Sequence, residues 1–262
     1  MFDFHLDRFE YFNTQTMNTK KSLIPFIESL MGPLKPGQKV LEIGSAEGGV
    51  LKAFLDKGCA GIGIELDCLR VKQSKKYLLE EIANGTVEIY QGDIFDKVFE
   101  SEFTGKFDMI ILKDVIEHIQ NQDGLVRLLK NFLRPAGVIY FGFPPWKMPF
   151  GGHQQICNSK ILSRLPWIHL FPPVIYKAIL EGFGEASHYL MDIKKTGISI
   201  EQFEKIVRRL GYKIIGKKHY LINPIYEYKF GIRTKEQFAL LSRIPYLRDF
   251  FTTAVYYLTI AD

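Results

Sequence analysis

Short apolar runs alternate with amphipathic helical patterns between residues 39 and 143, and this alternation restricts the fold more than any other feature. Chains that alternate strand and helix in this way build βαβ units around a parallel sheet. Between the first two runs, Val50, Leu51, Phe54 and Leu55 recur at helical spacing. The five predicted strands are Lys39–Ile43, Gly61–Glu65, Val87–Tyr90, Phe107–Leu112 and Val138–Phe143.

The pattern changes after residue 143 to loops rich in proline, glycine and aromatic residues, which we interpret as an insertion. Regular structure resumes at Ser199-Ile200-Glu201-Gln202, a capping-box pattern that predicts the start of a helix. Tyr212–Ile215 and Ala254–Ile260 predict a sixth and a seventh strand. We therefore predict one domain over 1–262, divided into helices in 1–38, a core in 39–143, the insertion in 144–198, and a remainder in 199–262 with an excursion over 224–251.

The composition, 47% hydrophobic and 24% charged, is typical of a globular domain. Cys59, Cys68 and Cys157 are odd in number and form no CxxC pair, so we expect no disulfide framework, no metal site and a reducing, cytoplasmic location.

The formal charge of +5 is not gathered into a block, which disfavours nucleic acid as a partner. Met1–His5 lacks a signal-peptide pattern, and the most apolar stretch, Leu165–Ile175, is too short to span a bilayer.

A turn of small residues, Gly44-Ser45-Ala46-Glu47-Gly48-Gly49, follows the first predicted strand. Small residues there let a ligand approach the backbone at the start of a helix, although such turns also serve packing alone. Glu65 ends the second run, where a carboxylate holds ribose hydroxyls in nucleotide-binding α/β sheets; a solvated loop acid is the alternative. One fitting ligand is a dinucleotide, because Gly44, Ala46 and Gly49 supply Gly-x-Gly-x-x-Gly with one substitution.

A second ligand class fits more of the chain. Glu42-x-Gly44-x-Ala46-x-Gly48 resembles the acid-x-Gly-x-Gly-x-Gly motif of the class I S-adenosylmethionine-dependent methyltransferase family, with alanine as the middle residue. Further segments resemble later motifs of that family in order: Gly63–Asp67, Gln91–Ile94, Phe107–Ile119 and the turn Leu133–Gly137. The resemblance implies a Rossmann-like three-layer α/β sandwich with a seven-stranded, mostly parallel sheet, an antiparallel last strand and a helical insertion after the fifth strand.

The same resemblance implies where S-adenosylmethionine binds. Glu65 would take the ribose hydroxyls and Leu66 would pack on the adenine. Asp93 would accept from the adenine amino group, and the Ile94 backbone N–H would meet a ring nitrogen. The remaining cofactor-binding residues would lie around the methionine moiety: Glu42, Gly44, Ser45, Ala46, Gly48, Lys113 and Asp114.

Two histidines are the candidates on the acceptor side. His118 follows the fourth predicted strand, and His153 lies in the loop that leaves the fifth, at the edge where open α/β sheets bind ligands. Either one is suited to act as a general base or an acceptor-binding group near neutral pH, and a purely structural role is the alternative. Tyr11 could reach the cofactor or the acceptor from the N-terminal segment, or belong to the core.

The aromatic insertion predicts a lid, a peripheral membrane contact through 144–180, or a homodimer interface. We therefore expect methyl transfer from S-adenosylmethionine to a small or lipid-like acceptor, preferably at oxygen. The alternatives are a non-catalytic protein of the same fold that binds a partner through the insertion, and a NAD-dependent oxidoreductase.

Overall fold

The computed structural model describes residues 7–261, which contain one eight-stranded sheet. Its strands are β1 (Lys39–Ile43), β2 (Ala60–Glu65), β3 (Val87–Gln91), β4 (Phe107–Lys113), β5 (Leu133–Phe143), β6 (Tyr212–Ile222), β7 (Lys235–Glu236) and β8 (Ala254–Ala261). The strand order is β3-β2-β1-β4-β5-β8-β6-β7. The first five strands are parallel, and β8, β6 and β7 pair antiparallel. The predicted fold class is confirmed.

The helices belong to four stretches of the chain. The N-terminal pair is α1 (Arg8–Asn18) and α2 (Ile24–Met31). The crossovers of the parallel sheet hold α3 (Gly49–Leu55), α4 (Cys68–Tyr77), α5 (Leu79–Ala83), α6 (Lys97–Phe103) and α7 (Gln122–Phe132). The insertion holds α8 (Pro173–Gly182) and α9 (Ser187–Thr196), and the remainder holds α10 (Ile200–Arg209), α11 (Tyr226–Phe230), α12 (Ala239–Ser242) and α13 (Leu247–Phe250).

Residues 1–6 lie outside the described part of the chain. They include the Met1–His5 stretch, which lacks a signal-peptide pattern, and the first residues of the predicted 1–38 segment. Helix α1 begins directly after them, because the Asp7 carboxylate accepts the backbone N–H groups of Phe9 and Glu10 as an N-cap. The Ser199–Gln202 capping box is present at the start of α10, as the sequence predicts.

Both faces of the sheet are buried, which explains why its central strands read as nearly continuous apolar runs. Alternate residues of one strand enter different layers, so Leu41 packs on one side of the sheet and Val40 on the other. Apolar side chains of α6, α7 and α10 cover the first side, and those of α1 to α4 cover the second. The result is the three-layer sandwich that the resemblance implies.

Two strand boundaries differ from the prediction by more than one residue, and the number of strands also differs. Strand β5 begins at Leu133, five residues early, because the segment expected as a turn already pairs with β4 across an irregular register at Phe107 and Met109. Strand β6 continues past the predicted Ile215 to Ile222. The predicted count of seven strands is one too low, since the two residues of β7 pair with the end of β6 inside the 224–251 excursion.

The insertion has its own small apolar cluster. Buried side chains of this cluster come from the loop after β5 and from α8 and α9: Cys157, Leu162, Ile168, Tyr176, Leu180, Leu190 and Ile193. The two ends of the insertion meet where the Trp146 N–H donates to the Ile198 carbonyl at 2.8 Å. The Trp146 ring packs on Gly197, where an added Cβ would come within 2.2 Å of the indole. The two ends of the insertion are therefore held together beside the carboxyl end of β5.

Within residues 7–261, no helix combines the length and the apolar character needed to cross a bilayer. The three cysteines are all free thiols.

Candidate functional site

The turn after β1 brings the backbone to the carboxyl edge of the sheet. Gly44 has φ +66°, and an added Cβ there would come within 2.6 Å of Val115, so this position requires glycine. Ala46 also takes a positive φ of 48°, the conformation that the family's middle glycine would adopt freely. The Ala46 N–H donates to the Glu65 carboxylate at 2.9 Å, which helps to offset a strain of about 1–2 kcal/mol.

Glu65 and Leu66 follow directly at the end of β2. The second Glu65 oxygen accepts the Asp67 N–H at 3.0 Å, so both oxygens are fixed by backbone donors. Leu66 leaves 65% of its side-chain surface exposed beside this carboxylate. An ordered carboxylate next to an exposed apolar side chain suits a ribose and an adjoining base.

Asp93 and Ile94 lie at the end of the neighbouring strand. In the β2–β3 register Glu65 stands opposite Gln91, so the residues that follow both strands share one edge. Asp93 is exposed and accepts the Phe95 N–H at 3.0 Å, whereas Ile94 is buried. The predicted adenine-binding residues therefore lie next to the predicted ribose-binding residue.

A narrow cavity opens where the carboxyl ends of β1 and β4 meet. Six of the predicted cofactor residues line it, namely Glu42, Gly44, Ser45, Ala46, Lys113 and Asp114. Ser45 Oγ and Glu47 Oε2 are buried in it without hydrogen-bond partners. Unpartnered acceptors and a buried carboxylate suit an ammonium group, and the methionine end of S-adenosylmethionine carries such a charge.

Glu42 lines the cavity and also makes a hydrogen bond within the protein. Its Oε2 accepts the Leu51 N–H of α3 at 3.0 Å, which ties the helix to the strand. Burial raises the pKa of Glu42 well above its usual value, although the Leu51 N–H and the Lys113 charge oppose this. Gly48 has φ +85° and begins α3, and it contributes backbone conformation rather than a cavity wall.

Helix α1 closes one side of the cavity with residues that the motif alone does not indicate. Tyr11 and Gln15 line it together with Glu47, which pairs with Arg8 at 2.8 Å. Of these, the sequence analysis considered Tyr11 and missed Gln15 and Glu47. The sequence signal is Gly49, whose added Cβ would come within 2.4 Å of the Phe12 carbonyl, so glycine there marks a close helix contact.

Lys113 and Asp114 form an ion pair at the end of β4, with Nζ and Oδ2 2.6 Å apart. Burial opposes the charge on Lys113, but the Asp114 carboxylate outweighs it and raises the pKa of the ammonium. Burial likewise opposes ionisation of Asp114, yet Lys113 lowers the pKa of that carboxyl. Asp114 has φ 56°, and its N–H donates to the Gly142 carbonyl at 2.7 Å.

The two predicted histidines meet beside Asp114. The imidazole centroids of His118 and His153 are 5.1 Å apart, although the residues come from different loops. Burial lowers the pKa of His118, and burial together with the nearby His118 lowers the pKa of His153 to about 4. Both rings are therefore neutral at pH 7. Glu117 completes the group, with its side chain only 4% exposed.

Helix α11 of the 224–251 excursion lies close enough to Asp114 for the charge of that carboxylate to affect the pKa values of two of its side chains. Burial lowers the pKa of Lys229 to about 8, although Asp114 opposes this, and burial raises the pKa of Tyr226 to about 12 with a further contribution from Asp114. The sequence analysis did not single out these residues, because no motif marks the excursion.

The arrangement defines a class of protein: a Rossmann-like α/β fold whose candidate cofactor and acceptor residues lie together at the carboxyl edge of its sheet. The family model described as a methyltransferase domain matches residues 16–184. The chain belongs to the methyltransferase domain family. This confirms the resemblance and S-adenosylmethionine as the cofactor, rather than a dinucleotide.

Curated relatives share only part of their length with this chain. The ubiquinone biosynthesis O-methyltransferase of Pasteurella multocida is 27% identical over 113 residues, which cover 40% of this chain and 46% of that protein. Phosphoethanolamine N-methyltransferase 1 of Zea mays is 31% identical over 137 residues, covering 49% of this chain and 24% of that protein. The chain thus spans less than half the length of both relatives.

Solved structures agree on the fold over nearly the whole chain. Geranyl diphosphate methyltransferase in complex with S-adenosylmethionine superposes with a TM-score of 0.56 at 15% identity. The alignment covers 92% of this chain and 85% of that one.

Proposed function

We propose that the protein transfers the methyl group of S-adenosylmethionine to a hydroxyl oxygen of a small or lipid-like acceptor. The observation that carries this proposal is the pair of neutral imidazoles, His118 and His153, next to Asp114 at the methionine end of the cleft. A neutral imidazole accepts a hydrogen bond from a hydroxyl group and orients the oxygen. The O-methyltransferase relatives support oxygen, and the N-methyltransferase relative makes nitrogen the second candidate.

S-adenosylmethionine supplies a methyl group on a positively charged sulfur. A lone pair of the acceptor oxygen forms the new O–C bond while the S–C bond breaks, and its electron pair stays on sulfur as a neutral thioether. The hydroxyl proton leaves to His118, His153 or water. The residues of this chain hold the oxygen in line with the S–C bond and exclude water, which accounts for much of the acceleration in such displacements.

The surroundings of the histidines favour an acceptor with an apolar part. The insertion begins just before His153, and its outer surface exposes apolar side chains between Ile161 and Ile175. Lys229 and Tyr226 of α11 add polar groups near Asp114. An acceptor with a polar head and an apolar tail would place the head between the histidines and the tail along the insertion.

The remaining predictions about the whole protein are proposals of the same kind. We propose a cytoplasmic location, which the three free thiols support. A lid, a peripheral membrane contact and a homodimer interface are the roles that we propose for the exposed apolar surface of the insertion.

The test measures S-adenosylhomocysteine release with three acceptors: an alkylated catechol, the matching alkylated aniline and phosphoethanolamine. We expect turnover with the catechol that falls at least tenfold in His153→Gln, while the exposed His188→Gln variant keeps wild-type activity. Preference for the aniline or phosphoethanolamine would contradict oxygen as the nucleophile. Cofactor binding without turnover on any acceptor would favour the non-catalytic alternative.

A further inference from the structure

The side chains of Glu117, His118 and His153 converge on one point of the acceptor side. Their nearest ligand atoms, one per residue, all lie within 4.8 Å of one another. We propose that these three residues bind a divalent transition-metal ion. The sequence analysis expected no metal because it found no cysteine pair, and the ligands come from two loops that only the fold brings together.

The Glu117 carboxylate is the strongest sign of a missing partner. The residue is 3% exposed, and neither carboxylate oxygen accepts a hydrogen bond. The nearest basic nitrogen, His118 Nε2, lies 3.8 Å from Oε1, beyond hydrogen-bond distance. A buried charged carboxylate without a partner costs several kcal/mol, so native structures neutralise such groups with a proton, an ion pair or a metal ion.

The cation that lies nearby is already engaged elsewhere. Lys113 Nζ pairs with Asp114 rather than with Glu117. His153 also offers a free atom, since its Nδ1 is buried without a hydrogen-bond partner. Two of the three ligands therefore have unused polar atoms in the cluster.

The backbone around the cluster is held in place by other groups. Thr196 Oγ1 donates to the Glu117 carbonyl at 2.6 Å, and the Gln122 side chain donates to the Ile116 carbonyl at 3.1 Å. These contacts fix the short helical turn that carries Glu117 and His118 without using the carboxylate. Such outer contacts orient ligands at metal sites.

The donor set indicates the class of metal. Two imidazoles and one carboxylate suit Zn²⁺, Mn²⁺, Fe²⁺, Co²⁺ or Ni²⁺, whereas Mg²⁺ and Ca²⁺ prefer oxygen ligands alone. Three protein ligands leave at least one coordination position open.

The role of this site rests on the proposed function. A cation between the histidines would polarise a hydroxyl group of the acceptor and lower its pKa. His118 and His153 would then act as metal ligands rather than as bases. The metal would also explain why two histidines and an acid converge at the place where the acceptor oxygen must lie.

The test is calorimetric titration of Zn²⁺ and of Mn²⁺ into the full chain after removal of metals with a chelator, without cofactor or acceptor. We expect one ion per chain for wild type, and binding at least tenfold weaker in Glu117→Gln and in His153→Gln. The matched control is His188→Gln, an exposed histidine outside the cluster, which should bind like wild type.

S-adenosylmethionine affinity and thermal unfolding of the metal-free variants show whether they remain folded, and His153→Gln provides a loop substitution if Glu117→Gln does not fold. Equal metal affinity in wild type and in both cluster variants, or no binding by wild type, would overturn the proposal. The two proposals can fail separately. Metal binding without O-methylation would contradict the proposed function and support the metal site. O-methylation by a protein that binds no metal would contradict the metal site and leave the proposed function standing.

Discussion

Backbone strain is concentrated at the candidate site. Among the described residues, six non-glycine positions have positive φ, and three of them, Ala46, Asp114 and His153, belong to the cofactor and acceptor sites. Each such position costs roughly 1–3 kcal/mol unless its surroundings hold it in place. At Ala46 the Glu65 carboxylate does so, and at Asp114 the Gly142 carbonyl and Lys113 do so.

Glu65 orders the Ala46 turn through its carboxylate, and we propose that the same carboxylate also binds the ribose. We expect Glu65→Ala to weaken S-adenosylmethionine binding at least tenfold, which is about 1.4 kcal/mol or more. Calorimetric titration of S-adenosylmethionine and S-adenosylhomocysteine measures this. Glu80→Gln, an exposed acid on α5, is the matched control and should bind normally.

Unchanged affinity in Glu65→Ala would show that this carboxylate does not contact the cofactor. Saturable NADH binding by wild type would contradict the assignment of the cleft to S-adenosylmethionine.

At the residue level, the sequence locates candidate site residues where a motif marks the end of a strand. Glu42, Gly44, Glu65 and Asp93 all lie at or just beyond carboxyl ends of parallel strands, which necessarily share one edge of the sheet. Gln15 and Glu117 could not be found in this way. Gln15 reaches the cavity because one helix packs on another, and the burial of Glu117 depends on the insertion and on α9.

At the scale of elements, the sequence predicts the central strands almost to the residue because their apolar runs are bounded by glycine and polar turns. Strand β7 has only two residues, too few for any periodicity. The early start of β5 depends on pairing with β4, which overrides the local turn signal of Pro135 and Gly137. The unpredicted parts are therefore those that tertiary contacts determine.

The contact between α1 and α3 leaves no room for a side chain at Gly49. An added Cβ would lie 2.4 Å from the Phe12 carbonyl, and Thr16 Oγ1 donates to the Gly49 carbonyl at 2.9 Å. We expect Gly49→Ala to displace α1, to lower the free energy of unfolding by about 1–3 kcal/mol and to weaken cofactor binding. Urea unfolding and calorimetry measure both effects.

The control for this prediction is Gly182→Ala at the end of α8, where an added Cβ meets nothing within 4 Å. It should keep or slightly raise stability, because alanine favours helix. Equal stability of Gly49→Ala and wild type would show that α1 adjusts freely.

The insertion contains a buried histidine that makes its stability depend on pH. His169 Nε2 lies 2.7 Å from the Trp146 carbonyl oxygen, and Lys194 donates to the His169 carbonyl. Burial lowers the pKa of His169 to about 4, against about 6.5 in an unfolded chain. The opened insertion therefore binds a proton as the pH falls below about 6.5, and the closed form loses up to roughly 3 kcal/mol by pH 4.

Trp146 and Trp167 are the two tryptophans of the chain, and both lie in the insertion. We expect their fluorescence to shift to the red between pH 6.5 and 4, ahead of any loss of far-UV circular dichroism. His169→Gln keeps a donor for the Trp146 carbonyl and removes the titrating ring, so its transition should move to lower pH. Coincident fluorescence and dichroism transitions in wild type would contradict local opening.

At the scale of the whole molecule, the insertion that carries His153 also carries an exposed apolar surface. The insertion exposes several large apolar side chains, by between 38% and 81%, on this surface: Ile161, Leu165, Trp167, Phe171, Val174 and Ile175. Exposed basic residues accompany them in sequence: Arg164 lies between them, and Lys160 and Lys177 lie just outside the two ends of this stretch. Apolar side chains interspersed with basic ones are typical of surfaces that bind anionic membranes.

We expect the protein to sediment with vesicles that contain anionic lipid, less with neutral vesicles, and less at high salt because screening weakens the basic contribution. The double variant Val174→Asp with Ile175→Asp should reduce vesicle binding at least threefold. Val98→Asp, which replaces an equally exposed apolar residue on α6, should not.

A stable dimer by sedimentation velocity, with no vesicle binding and with dissociation caused by the same double substitution, would instead assign this surface to a second copy of the chain. Vesicle binding would mean that a lipid-like acceptor could reach His118 and His153 along the insertion without first leaving the bilayer.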